Sequence, residues 1–128
     1  MRDESEIQQL IQIEAAKTGT ILLRNNSGSL LDKNNRPIRF GLGNVSAKQN
    51  KDFKSSDLIG ITPVVITKEM VGVTIAIFTA IEVKKEGWKY KGDERENGQN
   101  NFINWVKKLG GLAGFCNSIE DFKKVLGK

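Results

Sequence analysis

The sequence contains no histidine and only one cysteine among its 128 residues. Without histidine, the chain cannot build a Ser-His or Cys-His nucleophile pair or supply the histidine base that some nucleases use. A single cysteine also excludes a structural zinc site, which needs several Cys or His ligands. The remaining chemistry depends on carboxylates, lysines and a hard cation that prefers oxygen ligands, such as Mg²⁺ or Mn²⁺.

The cysteine content and the lengths of the apolar segments indicate in which cellular compartment the protein works. Cys116 lies in the apolar segment 112–116 and has no partner for an internal disulfide, which is typical of a reducing cytoplasm and favours a buried structural thiol. No apolar segment follows the charged start, and the longest apolar stretch, 71–83, is shorter than the roughly 20 residues of a membrane span. We therefore expect a soluble, unexported protein without a membrane partner.

The length and the net charge of the chain indicate the number of domains and the kind of partner that the protein binds. A chain of 128 residues is long enough for one hydrophobic core and short for two, so we predict a single domain over residues 1–128. Twenty Lys and Arg against fifteen Asp and Glu give a net charge of +5. This excess favours an anionic partner such as nucleic acid.

Hydrophobic periodicity predicts the order helix, strands, helix, strand, helix, which indicates an α/β domain with one mixed sheet covered by helices. The predicted helices run from Asp3 or Ser5 to Thr18, from 99 to 109, and from Ser118 onwards. The predicted strands are 20–24, 57–61, 64–67, 72–84 and 112–116, with an extra hairpin around 34–40 and a mobile loop at 45–56.

Asp57, Glu82 and Lys84 are the residues with the clearest chemical potential. Glu82 and Lys84 are two apart, so on a strand their side chains leave from the same face while Val83 points the other way into packing. Two carboxylates and an ammonium form a set with which a divalent metal can activate water. The alternative is a surface aspartate and a solvated Glu-Lys pair. The catalytic interpretation is favoured because Glu82 ends a run that is very apolar for an exposed strand.

Several segments in order along the chain carry a family resemblance. They are the helix with Glu4, the segment 24–28 (RNNSG), Ser56-Asp57-Leu58-Ile59-Gly60, Ile81-Glu82-Val83-Lys84, Gly92-Asp93-x-Arg95 followed by Gln99, and the segment 110–114 (GGLAG). Together they resemble the VRR-NUC domains of the PD-(D/E)XK nuclease superfamily, especially small stand-alone phage and bacterial versions. The resemblance extends from Glu4 to about Asp121. The proline that usually precedes the family's aspartate is Ser56 here, at a position that shapes the backbone and does no chemistry.

The resemblance implies a restriction-endonuclease-like core with a central mixed β-sheet flanked by helices. It also implies that Asp57 and Glu82 hold Mg²⁺ or Mn²⁺, with the Val83 carbonyl as a further oxygen ligand. Lys84 would position or deprotonate the attacking water, or stabilise charge that grows on the phosphate. Glu4 would be an accessory acid that holds a metal-bound water or a second ion.

Two of these assignments have alternatives in the sequence itself. Glu14 lies nearer the middle of the apolar stripe of the first helix and Glu6 on its flank, and Glu4 has the alternative of a first-turn residue that favours the helix dipole. Gln99 falls in line with Phe102 and the apolar positions after it, so it points inward, where the metal site or Lys84 can satisfy its amide. Its alternative is a helix-start residue bonded to the turn at 97–98.

Polar and basic residues on loops are candidates for phosphate contacts, which orient nucleic acid without reading its sequence. They are Arg24, Asn25, Asn26, Ser27, Ser56 and Lys91, together with Lys48, Lys51, Lys54 and Lys89. For any single lysine of this set, a solvated surface position is the simpler interpretation. Trp88 and Tyr90 lie among lysines, where they either stack on bases or anchor a loop.

The sequence therefore predicts a metal-dependent DNA endonuclease. The resemblance extends this to cleavage of four-way (Holliday) junctions by a homodimer, in the cytoplasm of a bacterial or phage-infected cell, because stand-alone VRR-NUC domains look like junction resolvases. The alternatives within enzymes are a flap, splayed-arm, nicking or restriction-type nuclease. Outside enzymes they are a nucleic-acid-binding module that has lost turnover, or an interaction protein whose basic charge is incidental.

Overall fold

The computed structural model describes residues 1–52 and 54–128 as a mixed α/β protein in two compact units, Met1–Thr62 and Pro63–Lys128. The first unit contains α1 (Glu4–Thr18), β1 (Ile21–Arg24), β2 (Gly28–Leu31), β3 (Pro37–Phe40), α2 (Ala47–Asp52) and β4 (Leu58–Ile61). The second contains a 3-10 turn (Lys68–Met70), β5 (Thr79–Val83), α3 (Glu94–Lys108), β6 (Leu112–Cys116) and α4 (Ile119–Val125). The α/β class is thus confirmed, while a single domain over residues 1–128 stays a prediction.

Helix α1 begins and ends at the residues that the sequence predicts. The Asp3 side chain accepts a hydrogen bond from the Glu6 backbone N–H at 2.9 Å, and the Glu6 carboxylate accepts one from the Asp3 N–H at 3.2 Å. This reciprocal capping box satisfies two of the free N–H groups at the helix start. Gly19 ends the helix with φ 78°, a left-handed conformation that glycine adopts readily.

Strands β1 and β4 form an antiparallel pair in which Ile21 lies opposite Ile61 and Arg24 opposite Leu58. The ladder continues beyond the strands, because the Asn25 N–H donates to the Asp57 carbonyl at 2.9 Å. Asp57 is therefore fixed at the end of a β-ladder, directly before β4.

Gly60 is required where β1 and β4 approach each other. A Cβ atom on Gly60 would lie 1.8 Å from the Ile21 carbonyl oxygen, which is a backbone atom that cannot move aside alone. We expect Gly60→Ala to force the two strands apart and to lower the free energy of unfolding by about 1–3 kcal/mol. Urea denaturation followed by circular dichroism measures this loss. Gly98→Ala is the control, because a Cβ at Gly98 meets open space; equal stability of the Gly60 variant and the wild type would contradict the close approach.

The predicted extra hairpin is present, whereas the predicted mobile loop contains a helix. Strands β2 and β3 pair antiparallel, with Gly28 opposite Phe40. Within 45–56, of which the structure describes all but residue 53, the chain forms α2, which was not predicted. Its start is stabilised by the Ser46 hydroxyl, which accepts from the Gln49 N–H at 3.1 Å, and by the Gln49 side chain, which accepts from the Val45 N–H at 2.7 Å. Ser-x-x-Gln is a capping pattern, and here it outweighs the polar composition of the segment.

The second unit is built around the parallel pair β5 and β6, in which Glu82 lies opposite Phe115. Helix α3 packs on both strands and α4 packs on β6. Val106 of α3 is fully buried, and Ile103, Ala113 and Cys116 are nearly so. Burial raises the pKa of the Cys116 thiol, with a smaller contribution from the nearby Asp121 carboxylate, so the thiol is the weakly reactive structural group that was predicted.

The predicted strand over 72–84 is much shorter in the structure, and residues 64–67 are not in a strand. Only the last part of the long apolar run, β5, is paired, and Gly72 adopts φ 83° in a turn. Side chains such as Val65 and Ile66 are exposed. The sequence-based prediction was wrong because strand propensity measures how well a residue fits a pleated surface, and it does not supply a neighbouring strand.

Helix α3 begins one and a half turns earlier than predicted. Asp93 is its N-cap and accepts from the Glu96 N–H at 2.8 Å. Gln99 therefore lies inside the helix, and its alternative role at a turn over 97–98 is wrong. In the residues that the structure describes, no helix has both the length and the apolar composition needed to cross a membrane.

The strands of the described chain form three two-stranded sheets, β1 with β4, β2 with β3, and β5 with β6. The sequence predicts one mixed sheet instead. The central sheet of a restriction-endonuclease-like core therefore stays a prediction.

Candidate active site

Glu82, Gln99 and Lys84 form one hydrogen-bonded chain in the second unit. The Gln99 Nε2 donates to Glu82 Oε1 at 2.8 Å, and the Lys84 Nζ donates to Gln99 Oε1 at 2.8 Å. All three side chains are half-buried. Gln99 thus points inward and meets Lys84 and Glu82, as its position in line with Phe102 predicted. We call this arrangement the Gln99 bridge.

The chemistry of the bridge requires an amide at position 99. An amide has a donor and an acceptor on the same group, so it can donate a hydrogen bond to a carboxylate while it accepts a hydrogen bond from an ammonium. Each end of Gln99 bonds to a charged partner, and such charge-assisted hydrogen bonds are stronger than neutral ones. The amide therefore fixes both Glu82 and Lys84 and places the two on the α3 side of β5.

The alternation along β5 is as predicted, but the packing of Val83 is not. Glu82 and Lys84 both contact Gln99, so they share a face, and Val83 points to the other face. That face does not bury it, because the Val83 side chain is 75% exposed. Val83 is the last residue of the strand, where alternation continues but the cover of the neighbouring elements does not.

Aromatic rings hold the Lys84 ammonium from another side. The Nζ lies 5.2 Å from the centre of the Trp88 ring and 5.6 Å from that of Phe115. Both distances are within the range in which a cation is attracted to a ring face. The two rings contact each other with centroids 4.9 Å apart, and Tyr90 packs on Phe115 at 5.8 Å. Trp88 and Tyr90 therefore anchor a loop around Lys84, which is one of the two roles predicted for them.

Glu96 organises this loop and was missed in the sequence. It is only 4% exposed, and its carboxylate accepts from the Trp88 Nε1–H at 3.0 Å and from the Lys91 backbone N–H at 3.0 Å. A buried carboxylate needs such donors to offset its desolvation. The signal was present, because Asp93-x-x-Glu96 is a capping pattern that often marks a helix start. Lys91 itself has an exposed side chain, consistent with its predicted role in phosphate contacts.

A cavity of about 450 Å³ lies beside the Gln99 bridge. Glu82, Gln99 and Arg95 are among its lining residues, and apolar groups such as Phe102 complete the wall. The cavity thus combines a carboxylate with a guanidinium, a group that binds phosphate oxygens well. We call it the Glu82 cavity.

Asp57 lines a second cavity, of about 520 Å³, in the first unit. Glu4, at the start of α1, and Arg24, at the end of β1, line the same cavity. Glu4 and Asp57, both predicted site residues, therefore line the same cavity, while the role of Glu4 as an accessory acid stays a prediction. All three residues are exposed, so a metal ion or a phosphate group can reach them from solvent. We call this the Asp57 cavity.

Asn25 holds the backbone before Asp57. Its Nδ2 donates to the Ser55 hydroxyl at 2.9 Å and to the Ser56 carbonyl at 2.8 Å, which uses both amide hydrogens. The Ser56 hydroxyl bonds to the Leu58 carbonyl at 3.2 Å. Asn25 and Ser56 thus shape the chain around Asp57, a role beyond the phosphate contact predicted for them. Asn26 and Ser27 are exposed on the same loop.

The predicted site residues are distributed over both units. The first unit contains Glu4, Arg24, Asn25, Asn26, Ser27, Ser56 and Asp57, and the second contains Glu82, Val83, Lys84, Lys91 and Gln99. Within either unit, the described residues contain no group of three or more Asp, Glu, His or Cys side chains that could hold a metal ion. Each unit does present carboxylates to a cavity, and carboxylate oxygens are the ligands that Mg²⁺ and Mn²⁺ prefer.

Comparison with protein-family models, with curated proteins and with solved structures finds no match for this chain.

Proposed function

We propose that this protein is a metal-dependent DNA endonuclease of the VRR-NUC type, with a restriction-endonuclease-like core. The Gln99 bridge carries the proposal, because it joins the glutamate and lysine of the Glu-x-Lys motif through the same glutamine that the family resemblance singles out. An ordinary solvated Glu-Lys pair does not need a half-buried amide between its two side chains. The bridge thus supports a preorganised site.

The residues that would hold the metal are Asp57, Glu82 and the Val83 carbonyl, with Glu4 as an accessory acid. When bound, Mg²⁺ or Mn²⁺ would polarise the scissile phosphate and lower the pKa of bound water. The donor set is made of oxygens alone, which fits a hard cation. Glu82 contributes in addition by accepting from Gln99, which keeps its carboxylate in one orientation.

Lys84 would act on the phosphate or on the attacking water. Its ammonium has three hydrogens, one of which is donated to Gln99, and the Trp88 ring limits its movement. A fixed cation beside a carboxylate can stabilise the negative charge that develops during phosphodiester hydrolysis. As an ammonium it can also hold the attacking water by a hydrogen bond, and in its neutral amine form it can accept a proton from that water.

The proposed substrate is branched DNA, and the proposed assembly is a homodimer that places two sites on opposed strands of a four-way junction. The net charge of +5 supports a polyanionic partner. A small domain has little surface for reading a long sequence, so recognition of shape is the economical expectation. The proposed location is the cytoplasm of a bacterial or phage-infected cell.

A cleavage assay tests this function. Four-way junctions, flaps, splayed arms and linear duplexes built from shared strands are incubated with the protein and Mg²⁺ or Mn²⁺, with EDTA as the control. We expect paired nicks in the junction, no cutting in EDTA, and a dimer by analytical ultracentrifugation. Preferential cutting of flaps or duplex would replace the junction with another substrate. Metal-independent DNA binding without any cutting would indicate a binding module, and no DNA affinity at low salt would reject the proposal.

A further inference from the structure

The first unit contains a polar pocket of about 350 Å³ that holds none of the proposed metal ligands. It lies between the β2–β3 hairpin and the segment that joins α2 to β4. Two cationic side chains, three hydroxyls and a buried amide are among its lining groups: Arg39, Lys54, Ser27, Ser29, Ser55 and Asn44. We call it the Arg39 pocket.

The charges of the Arg39 pocket are not compensated. None of its lining residues is acidic. Among the described residues, the structure has one salt bridge, between Lys17 and Glu14, so neither Arg39 nor Lys54 is paired with a carboxylate there. Two cations that share a small pocket repel each other, and an anion between them would relieve that repulsion.

The pocket is also built from ordered groups. Asn44 is only 3% exposed. Its Nδ2 donates to the Gly28 carbonyl at 2.7 Å and to the Phe40 carbonyl at 2.9 Å. Its Oδ1 accepts from the Arg39 guanidinium at 3.0 Å. The Lys54 ammonium is held by the Asn50 carbonyl and side chain, each at 3.0 Å. Both cations are thus oriented before any ligand arrives, and each keeps N–H groups beyond these bonds.

We infer that the Arg39 pocket binds a backbone phosphate of the DNA. The inference rests on the proposed function and adds the contact that positions the strand. A phosphate group offers several acceptor oxygens, which suit a guanidinium fork, an ammonium and neighbouring hydroxyls.

The position of the Arg39 pocket in the chain indicates which part of the DNA backbone would bind there. Ser55 lines the Arg39 pocket and Asp57 lines the Asp57 cavity, so the two sites are two residues apart in the chain. Two residues span at most about 7 Å. The Arg39 pocket is thus close in the chain to the residue that would present the scissile phosphate to the metal, so we infer that the bound phosphate belongs to the same stretch of DNA.

The test compares two double variants that remove the same charge. Arg39→Gln/Lys54→Gln changes the pocket, and Lys33→Gln/Arg36→Gln changes two exposed cations of the turn between β2 and β3, outside it. Binding of a labelled four-way junction and a labelled duplex is measured by fluorescence anisotropy in Ca²⁺ over a range of salt concentrations. In parallel, the ¹⁵N-labelled full chain is titrated with inorganic phosphate by NMR.

We expect the pocket variant to raise the Kd for DNA about tenfold or more and to reduce the salt slope on duplex by about 0.9, the value for one phosphate contact. The wild-type and control proteins should show saturable phosphate shifts at the amides of Ser29 and Asn44, and the pocket variant should not. Equal DNA affinity and salt slope for the two variants would overturn the inference, as would the absence of phosphate shifts in the wild type. Thermal unfolding shows whether each variant is folded, and Lys54→Gln alone, which leaves the Arg39–Asn44 bond intact, replaces the pocket variant if it is not.

The outcome is separable from that of the proposed function. If the wild type cuts DNA but the two variants bind it equally, the pocket inference fails and the nuclease proposal stands. If the pocket variant loses DNA affinity in a protein that never cuts, the pocket is supported and the nuclease proposal fails.

Discussion

Replacement of Asp57 by asparagine should reduce DNA cleavage by roughly a thousandfold, which corresponds to about 4 kcal/mol of transition-state stabilisation. The proposed site has few carboxylates, and Asn removes one negative charge that a divalent cation needs as its partner. The amide is almost the same size as the carboxylate, and the Asp57 side chain is exposed, so the fold should be unaffected. The measurement is single-turnover cleavage of a four-way junction in Mg²⁺ and in Mn²⁺.

DNA binding distinguishes this loss from misfolding. Asp57→Asn should keep most of the affinity for the junction, because removing a negative charge does not weaken attraction to phosphates. Asp52→Asn is the matched control, since Asp52 is exposed at the end of α2 and outside the Asp57 cavity, and it should cut like the wild type. Cleavage by Asp57→Asn at the wild-type rate would remove Asp57 from the site.

Metal binding gives a readout besides activity. Mn²⁺ broadens NMR signals of nearby nuclei, so in the wild type it should broaden the amides around Asp57 and Glu82 at the same low concentration. In Asp57→Asn that broadening should need a much higher Mn²⁺ concentration. Broadening around only one of the two residues would contradict a shared cation, even if the protein cuts DNA.

Local signals in the sequence predicted local structure well. The capping box of Asp3 and Glu6, the capping serine of α4 and the apolar run of β6 each act within a few residues, so their outcome depends little on the rest of the chain. The inward direction of Gln99 was also predictable, because a helix repeats its faces every three to four residues. Its two partners follow from that direction and from the same-face spacing of Glu82 and Lys84.

The features that depend on distant partners were not predictable. The apolar run after Pro63 has strand composition. In the described chain, β5 is the only part of this run that pairs with another strand, which is β6. Glu96 was overlooked because its partners, Trp88 and Lys91, lie across a turn. The amino-acid composition of a turn does not reveal the path that the chain takes through it. The Arg39 pocket was missed for the same reason, since a hairpin and a linker bring Arg39 and Lys54 to one place.

The pairing of Asp57 with Glu82 is a separate question from the geometry of either unit. Asp57 is placed by the end of the β1–β4 ladder and by Asn25, whereas Glu82 is placed by β5 and Gln99. The position of each carboxylate is thus fixed by contacts within its own unit. The two acids are 25 positions apart in the sequence, and nothing in the motif itself brings them together, so the shared metal rests on the proposal and on the Mn²⁺ experiment.

Replacement of Lys84 by alanine should also strongly reduce cutting, with a loss of roughly 10²- to 10⁴-fold, the usual contribution of a positioned acid or base. The change removes the ammonium and leaves Gln99 Oε1 without its donor. An unsatisfied half-buried acceptor and a lost contact with the Trp88 ring should lower the free energy of unfolding by about 1–2 kcal/mol, and most small domains tolerate such a loss. The measurements are single-turnover cleavage and urea denaturation.

The neighbouring lysine provides the matched control for this variant. Lys85→Ala removes the same charge from an exposed position and should retain wild-type cleavage. Lys84→Arg separates the two roles proposed for the ammonium, because arginine keeps the positive charge but does not give up a proton. Substantial cleavage by Lys84→Arg would indicate charge stabilisation, and its loss together with retained DNA binding would favour proton transfer. If Lys84→Ala cuts as fast as Lys85→Ala, the Gln99 bridge is a structural element and Lys84 has no role in the chemistry.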